Sequence, residues 1–381
     1  MTKSMPPLTI EVTNLKAIRH MRWTPSGVCA LVGPNGSGKS TALRVVELVR
    51  VAREQGLASA LRLLGQGPLR HLDADLSAIP GVRFSLGSAE WTLGLELSRA
   101  DAPHEQAQDG ERVVRLLSHT ASFPGLAGSR TYRVEGGGTQ EVIRADDGEL
   151  MLRASARNPA AVPGLVNLSS LISRSRYFSR PDFAFLRENG SPESQDVALA
   201  SDARNQFTVL KNWKLNSDHE HRSHFVIDSM RELFPSFRNF DLPQLAQRTS
   251  ALSLGLKEKM PPTDWSDGFF CCLSMLTGLA SVEQAVVAFD EPENSLHPEL
   301  IRDLVELMRE WSRQRQTTVL LATHSPVVLD QFREVPEQVF VMEPGHAEMP
   351  VPLDQLKKRD WLRNFSLGDL YSHLEVGAST P

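Results

Sequence analysis

Cysteine is scarce, with three in 381 residues. So few cysteines in a chain this long exclude a disulfide framework and fit a reducing compartment. Cys29 lies in an apolar strand and Cys271 and Cys272 in an apolar run. No C-x-x-C spacing occurs, so all three read as packing residues rather than metal ligands. Long apolar runs are absent too. No stretch approaches the roughly 18 apolar residues of a membrane-crossing helix, and the N-terminus lacks a signal peptide's apolar core. The expectation is a soluble, cytoplasmic chain with no membrane span. Positive charge is not in excess: 41 Lys and Arg against 46 Asp and Glu leave a net charge of −5. That removes an overall pull toward nucleic acid and leaves only a local basic surface open. There are no sustained heptads, hence no long coiled-coil arm, and no internal repeat. A 41% hydrophobic composition at this length still supplies a large core, in one big domain or two lobes.

What is present centres on Gly33-Pro34-Asn35-Gly36-Ser37-Gly38-Lys39-Ser40. The stretch fits the phosphate-loop pattern G-x-x-x-x-G-K-[ST] in full. Val28, Cys29, Ala30, Leu31 and Val32 read as a short apolar strand before it. Residues from Thr41 to about 64 read as a helix after it, with Gly56 as a break or kink. Strand, glycine loop, helix is the context the pattern requires. The glycines let the backbone curl so that several N–H groups point at one phosphate. The helix start adds N–H groups and a positive dipole end. Lys39 would reach the β- and γ-phosphates, and the Ser40 hydroxyl would ligate Mg²⁺.

Leu8–Val12 alternates as a strand does, and residues 14–23 continue with mixed polarity. Between about 80 and 155 the chain turns to period-two alternation, at 82–86, 91–97, 131–134 and loosely 141–144. Gly136-Gly137-Gly138 and Asp146-Asp147-Gly148 supply turns. This is an antiparallel region with one wet face. Residues 101–111 read as a polar loop. Residues 203–234 read as helical, ending at Pro235. Arg174, Arg176 and Arg180 cluster around Tyr177 and Phe178. They read as a phosphate- or nucleic-acid-contacting loop or as a solvated turn, and the acidic total charge favours the turn.

Ala285–Phe289 and Thr318–Ala322 are apolar throughout, as strands buried on both faces of a parallel sheet must be. Pro298–Gln314 between them reads as an amphipathic helix. One strand runs into Asp290-Glu291-Pro292, the other into Thr323-His324-Ser325-Pro326. In such units ligands bind at the strand ends. Asp290 suits Mg²⁺ and Glu291 a general base for an attacking water. His324 is placed to contact a γ-phosphate and sense its loss. Ser266 reads as the N-cap of an apolar helix, and Ser266-Asp267-Gly268 as a second anion-binding helix start or simply a capped core helix.

Together these residues resemble the ATP-binding-cassette superfamily, above all its soluble branch. That branch includes RecF-like recombination ATPases, structural-maintenance-of-chromosomes heads and the AAA-type ATPases of overcoming-lysogenization-defect systems. The resemblance runs from about residue 8 to 330. It rests on Gly33 to Thr41, the signature-like Ser266-Asp267-Gly268, Asp290-Glu291-Pro292-Glu293-Asn294-Ser295-Leu296-His297-Pro298, and Thr323 to Pro326. The tail around Ser366-Leu367-Gly368-Asp369-Leu370-Tyr371 is similar to small ATPases of phage-defence operons. The fold implied is α/β, an ABC-type P-loop ATPase head with a parallel sheet core, an antiparallel β lobe and a helical signature lobe. Its segments would be a P-loop core at 1–75, an antiparallel β region at 76–160 and a helical insertion at 161–262. The signature, Walker B and His-switch core would follow at 263–345 and a tail at 346–381, all in one two-lobed domain.

The resemblance also implies ATP and Mg²⁺ as ligands and a head-to-tail homodimer, or a higher even oligomer, built through the ATP sites. Ser266 of one subunit would cap the γ-phosphate held by Lys39 of the other, with Ser295 and His297 in the loop crossing the interface. Departures are the single glycine after Asp267, the absence of a cation at Phe270 and Cys271, and an unassigned Q-loop glutamine, for which Gln140 is one candidate. The function expected is an ATP-hydrolysing switch that controls a separate effector, a nuclease or toxin, in anti-phage defence or DNA-associated maintenance. RecF-like DNA repair is the alternative. A transporter subunit is disfavoured by the long separation of Ser40 from Ser266, and a non-hydrolysing scaffold by Glu291. From the resemblance to overcoming-lysogenization-defect proteins, which carry a toprim nuclease after the ATPase, the expectation is that no such nuclease follows His324 in cis, since the sequence runs to residue 381.

Overall fold

The alternating strands and the uniformly apolar strands build two different sheets in the computed structural model. The structure describes residues 7–55, 59–60, 63, 80–87, 89–96, 116–123, 126–135, 138–143, 162–179, 181–245, 247–255, 258–342, 349–356 and 366–368. Packing divides the chain into two units. One comprises Met1–Ser26, Gly33–Ser173 and Val341–Val351; the other comprises Gly27–Val32, Arg174–Phe340 and Pro352–Pro381.

The first unit holds a seven-stranded antiparallel sheet. Its strands are β1 (Leu8–Leu15), β2 (Ile18–Trp23), β4 (Gly81–Leu86), β5 (Ala89–Glu96), β6 (Leu116–Phe123), β7 (Leu126–Glu135) and β8 (Gly138–Ile143), in the order β2-β1-β4-β5-β6-β7-β8. Period-two burial explains the pairing register. Ile10, Val12, Met21, Trp23, Val82 and Phe84 are all buried, with Ile10 opposite both Trp23 and Phe84. A one-residue slip would turn this whole set to solvent. The polar loop expected at 101–111 and the turns at 136–137 and 146–148 lie outside the described residues.

Helix α1 (Lys39–Glu54) belongs to the same unit. It ends at Glu54, with Gln55 as its cap, and Ser59, Ala60 and Leu63 beyond it are again helical, so the helical reading to about 64 holds with an interruption after Glu54. The cap N–H goes to the Val51 carbonyl, while Arg50 pairs with both Glu47 and Glu54. Gly56 lies outside the described residues. Arg53 donates to Ser173 Oγ at 2.5 Å and to Ser169, tying the end of α1 to α2 (Val162–Arg174).

The second unit is organised on the parallel strands of a six-stranded sheet, ordered β19-β18-β3-β17-β16-β9. Here β3 is Val28–Val32, β9 Arg176–Phe178, β16 Val286–Asp290, β17 Thr318–Ala322, β18 Val339–Val341 and β19 Val351–Pro352. Strands β3, β17, β16 and β9 are parallel. Their near-continuous apolar sequence reflects burial: every residue of β3 and the first four of β16 are buried. Three helices flank these strands in sequence: α6 (Asp267–Ala280) before β16, α7 (Pro298–Arg315) between β16 and β17, and α8 (Pro326–Asp330) after β17. Helix α6 packs on β16, and α7 on β3 and β17. The start of α7 is encoded locally, with His297 as N-cap, Pro298 in the first turn and Glu299 beside the positive dipole end. Ile301, Leu304, Val305, Met308 and Trp311 form its buried stripe. Each such side chain contributes about 1.5–3 kcal/mol by leaving water.

The segment expected as a helical insertion carries α3 (Phe183–Asn189), α4 (Gln206–Leu215) and α5 (Glu220–Leu233). It also carries two small sheets, β10-β13-β12 (Ser191–Pro192, Arg248–Thr249, Gln244–Leu245) and β11-β14-β15 (Phe237–Asp241, Leu252–Gly255, Lys259–Met260). No helix among the described residues is long and apolar enough to cross a membrane.

Candidate functional site: a phosphate loop and a set of strand ends

The loop from Gly33 to Gly38 is shaped by positions that only glycine fits. Gly33 has φ +150°, and a Cβ there would collide with the Met342 carbonyl oxygen. Gly38 has φ +100°, and a Cβ would stand 2.8 Å from Ile18 Cγ1. Helix α1 opens directly after Gly38 with neither a capping side chain nor an acidic residue in its first turn. Such a helix start presents backbone N–H groups and a positive dipole end to an anion. Two further observations fit a phosphate. Ser37 is 5% exposed, and its Oγ is buried with no hydrogen-bond partner among the described residues. Lys39, 7% exposed, donates from Nζ to the carbonyls of Gly33 (2.8 Å) and Pro34 (2.9 Å), holding its charge at the loop. Pro34 is half-buried, Asn35, Gly36 and Ser40 are exposed, and Thr41 is half-buried.

The second unit gathers the remaining site residues at the C-terminal ends of its parallel strands. Asp290 on β16 stands beside Ala322 on β17, and Ala322 beside Leu31 on β3, so the three strands end together. Strand β3 is the one whose chain continues into Gly33. Asp290 accepts a hydrogen bond from Tyr177 Oη at 3.0 Å. Glu291 follows in the left-handed region, at φ +53°. Its N–H donates to the Ala322 carbonyl (2.8 Å), and its Oε2 accepts from Asn294 Nδ2 (2.9 Å). His324, half-buried, is two residues past Ala322. Its backbone N–H donates to Glu293 Oε1 at 3.1 Å. Ser295 is exposed at φ +69°, and the His297 ring accepts from Glu299 N–H.

Ser266, Asp267 and Gly268 form the opening of α6. Ser266 Oγ accepts from the Phe269 N–H at 3.2 Å, as an N-cap does. An aromatic cluster holds the turn: Trp265 meets Phe207, Phe240, Phe269 and Phe270 at centroid distances of 5.8, 5.7, 4.9 and 5.0 Å. Arg187 braces it from outside, donating to the Trp265 carbonyl (3.0 Å) and to the Asp267 carboxylate while lying 4.9 Å over the Phe270 ring. A cavity of about 470 Å³ lies between α6 and the strand ends, lined among others by Phe178, Cys271, Met275, Phe289, Asp290 and Glu291. Burial pushes the Cys271 thiol up to about 12, with the Asp267 charge adding to the effect, and pushes the Cys272 thiol up as well. Both therefore stay protonated packing groups. Cys271 Sγ donates to the Asn294 carbonyl at 3.4 Å.

Three residues of this neighbourhood escaped the sequence reading in their roles: Tyr177, Arg187 and Glu293. Tyr177 was grouped with the arginines around it, although its β-strand context pairs it with Ala288, two residues from Asp290. Of those arginines, Arg174 donates to the Glu283 carbonyl and Gln284 Oε1, and Arg176 to the Ser175 carbonyl. Arg180 lies outside the described residues. Among the described residues no cluster of three or more His, Cys, Asp or Glu side chains could hold a metal ion by itself. Mg²⁺ at nucleotide sites needs no such cage, because phosphates and water fill most of its shell.

A glycine loop leading into an uncapped helix is the mark of a P-loop ATPase, and the class is the ABC type. Residues 28–330 match the AAA_21 family model, described as "AAA domain, putative AbiEii toxin, Type IV TA system", and the chain belongs to that family. Among curated proteins it is 39% identical over 74 residues to protein ea59 of Escherichia phage lambda, covering 19% of this chain and 14% of that one. It is 25% identical over 130 residues to the thiamine import ATP-binding protein ThiQ of Ruegeria sp., covering 34% and 53%. The matches thus span a seventh to about half of these relatives' lengths. Among solved structures, an SmcHead bound to the C-winged helix domain of ScpA aligns over 92% of this chain and 100% of that one, with TM-score 0.50 and 12% identity. That likeness concerns the fold.

Proposed function

We propose that this chain is an ATP-hydrolysing switch that pairs head-to-tail with a second copy when ATP binds and thereby controls a separate effector in anti-phage defence. The observation that carries the reading is the common register of the strand ends. Asp290-Glu291 and His324 end strands aligned with β3, the strand that feeds the phosphate loop. The loop's backbone N–H groups and Lys39 bind and orient the phosphates. Ser40 and Asp290 would hold Mg²⁺, and Tyr177 orients the Asp290 carboxylate. The ion, when bound, supplies neutralisation of charge developing on the phosphate oxygens. Glu291 accepts a proton from the attacking water at its carboxylate. His324 reads the γ-phosphate position, and the Ser266 turn serves the nucleotide of the second copy.

Two comparisons support an effector and a partner. The family description names a toxin system, and the SmcHead was solved bound to a ScpA domain. A nuclease or toxin acting in trans fits this setting better than a transporter, because the β and helical segments between Ser40 and Ser266 are long. Steady-state turnover of ATP by the wild type, Lys39→Ala and Glu291→Gln tests the chemistry. The reading expects Lys39→Ala to lose binding and Glu291→Gln to keep binding while losing turnover. Equal turnover in Glu291→Gln and the wild type would remove Glu291 from the mechanism.

A further inference from the structure

We infer that Glu293 is a positioning residue for hydrolysis, coupling the turn that carries Glu291 to the strand end that carries His324. The inference rests on the reading that Glu291 and His324 serve ATP turnover. The turn after β16 is not held by local preference: Glu291 and Ser295 both sit at positive φ, +53° and +69°, where residues with a Cβ are rarely found. Tertiary contacts must therefore hold it. The backbone supplies Glu291 N–H to the Ala322 carbonyl (2.8 Å) and, within the turn, Asn294 N–H to Glu291 (3.2 Å) and Leu296 N–H to Glu293 (3.1 Å).

One side chain of this turn reaches across to the neighbouring strand end. Glu293 Oε1 accepts from Thr323 Oγ1 at 2.8 Å and from the His324 N–H at 3.1 Å. Thr323 Oγ1 in turn accepts the Ser325 N–H at 2.9 Å. One carboxylate oxygen thus fixes the backbone at 323–325, from which the His324 ring projects. Glu293 also sits between Glu291 and the Asn294 amide that holds the Glu291 carboxylate. Base and histidine move as one body as long as this link is made. Its other oxygen, Oε2, is buried without a hydrogen-bond partner among the described residues. An unpaired buried carboxylate oxygen is unfavourable for folding. A neutral acceptor at Oε1 would make the same two bonds.

The test is steady-state ATP turnover by the full chain. Glu293→Ala should lower kcat about 10- to 100-fold, the range for misplaced catalytic groups, with KM for ATP and the dissociation constant of a fluorescent ATP analogue nearly unchanged. Glu293→Gln, which keeps an acceptor for Thr323 and His324, should restore most of kcat. Glu293→Ala combined with His324→Ala should be no slower than His324→Ala alone, because one residue acts through the other. Thr323→Val, which removes one donor and leaves the turn's sequence intact, should lower kcat in the same direction and covers the case in which Glu293→Ala misfolds. Wild-type kcat in folded Glu293→Ala or Thr323→Val, or losses that multiply in the double variant, would overturn the inference. A wild type that turns over no more ATP than Lys39→Ala would instead remove the hydrolytic reading itself.

Discussion

Replacing Arg187 with alanine should uncouple dimerisation from ATP binding. Arg187 makes three contacts with the turn that opens α6: the Trp265 carbonyl, the Asp267 carboxylate and the face of Phe270. Its side chain is 27% exposed and that of Asp267 58%, so the ion pair is well screened and contributes about 0.5 kcal/mol. The hydrogen bond to the carbonyl adds about 1 kcal/mol and the cation–π contact about 0.5–1 kcal/mol. The sum is about 2 kcal/mol of orientation per turn. A head-to-tail dimer uses the turn twice, so its formation should weaken by about 4 kcal/mol, on the order of a thousandfold. The assay is sedimentation equilibrium in the Glu291→Gln background with ATP and Mg²⁺, with and without Arg187→Ala. ATP binding to the dilute monomer should stay the same, because the contacts of Arg187 are to the turn that opens α6. An unchanged dimer constant would refute the placement of the Ser266 turn in the interface. A parallel loss of monomer ATP binding would show that the substitution acts through folding.

Three further outcomes follow from individual contacts. Tyr177→Phe removes the hydroxyl that orients Asp290 and should raise the Mg²⁺ concentration for half-maximal turnover about tenfold, as second-layer contacts to metal-binding carboxylates do; a magnesium titration reads this directly, and an unchanged midpoint speaks against Asp290 as a ligand. Gly33→Ala should abolish ATP binding, measured by titration calorimetry, because the new Cβ meets the Met342 carbonyl oxygen. For Glu283, burial opposes the charge, but the His221 hydrogen bond and the Arg222, His221 and Arg315 charges outweigh it, holding the carboxyl below its ordinary 4.5. A carboxyl lowered in the folded state adds stability above its unfolded value, and that stability is lost as pH falls through the folded one. Thermal unfolding should therefore drop less between pH 5 and more acidic conditions in Glu283→Gln than in the wild type; parallel curves would contradict the assignment.

The parts legible in the sequence are those whose determinants are local. The glycine loop, the Ser266 cap and the His297-Pro298-Glu299 helix start each need only a few adjacent residues. Strands β3, β16 and β17 announce themselves because burial on both faces leaves them almost wholly apolar. Strand β6 does not: Ser118, His119, Thr120 and Ser122 interrupt any clean alternation. The two small sheets escape for another reason, since strands of two to five residues are too short to show a period. Helical spacing was legible on both sides of a break: α1 closes at Glu54, and Ser59, Ala60 and Leu63 are helical again. The partners of the site residues were the hardest to see. Tyr177 and Asp290, Arg187 and Asp267, and Glu293 and Thr323 are brought together by strand register and helix packing, and nothing in the spacing of either partner specifies the other.

The central claim is that ATP sets an association state and hydrolysis resets it. Light scattering of Glu291→Gln after size exclusion, with and without ATP and Mg²⁺, tests it most directly. The account predicts a doubling of mass with ATP that Lys39→Ala prevents. A mass that is the same with and without nucleotide would contradict it.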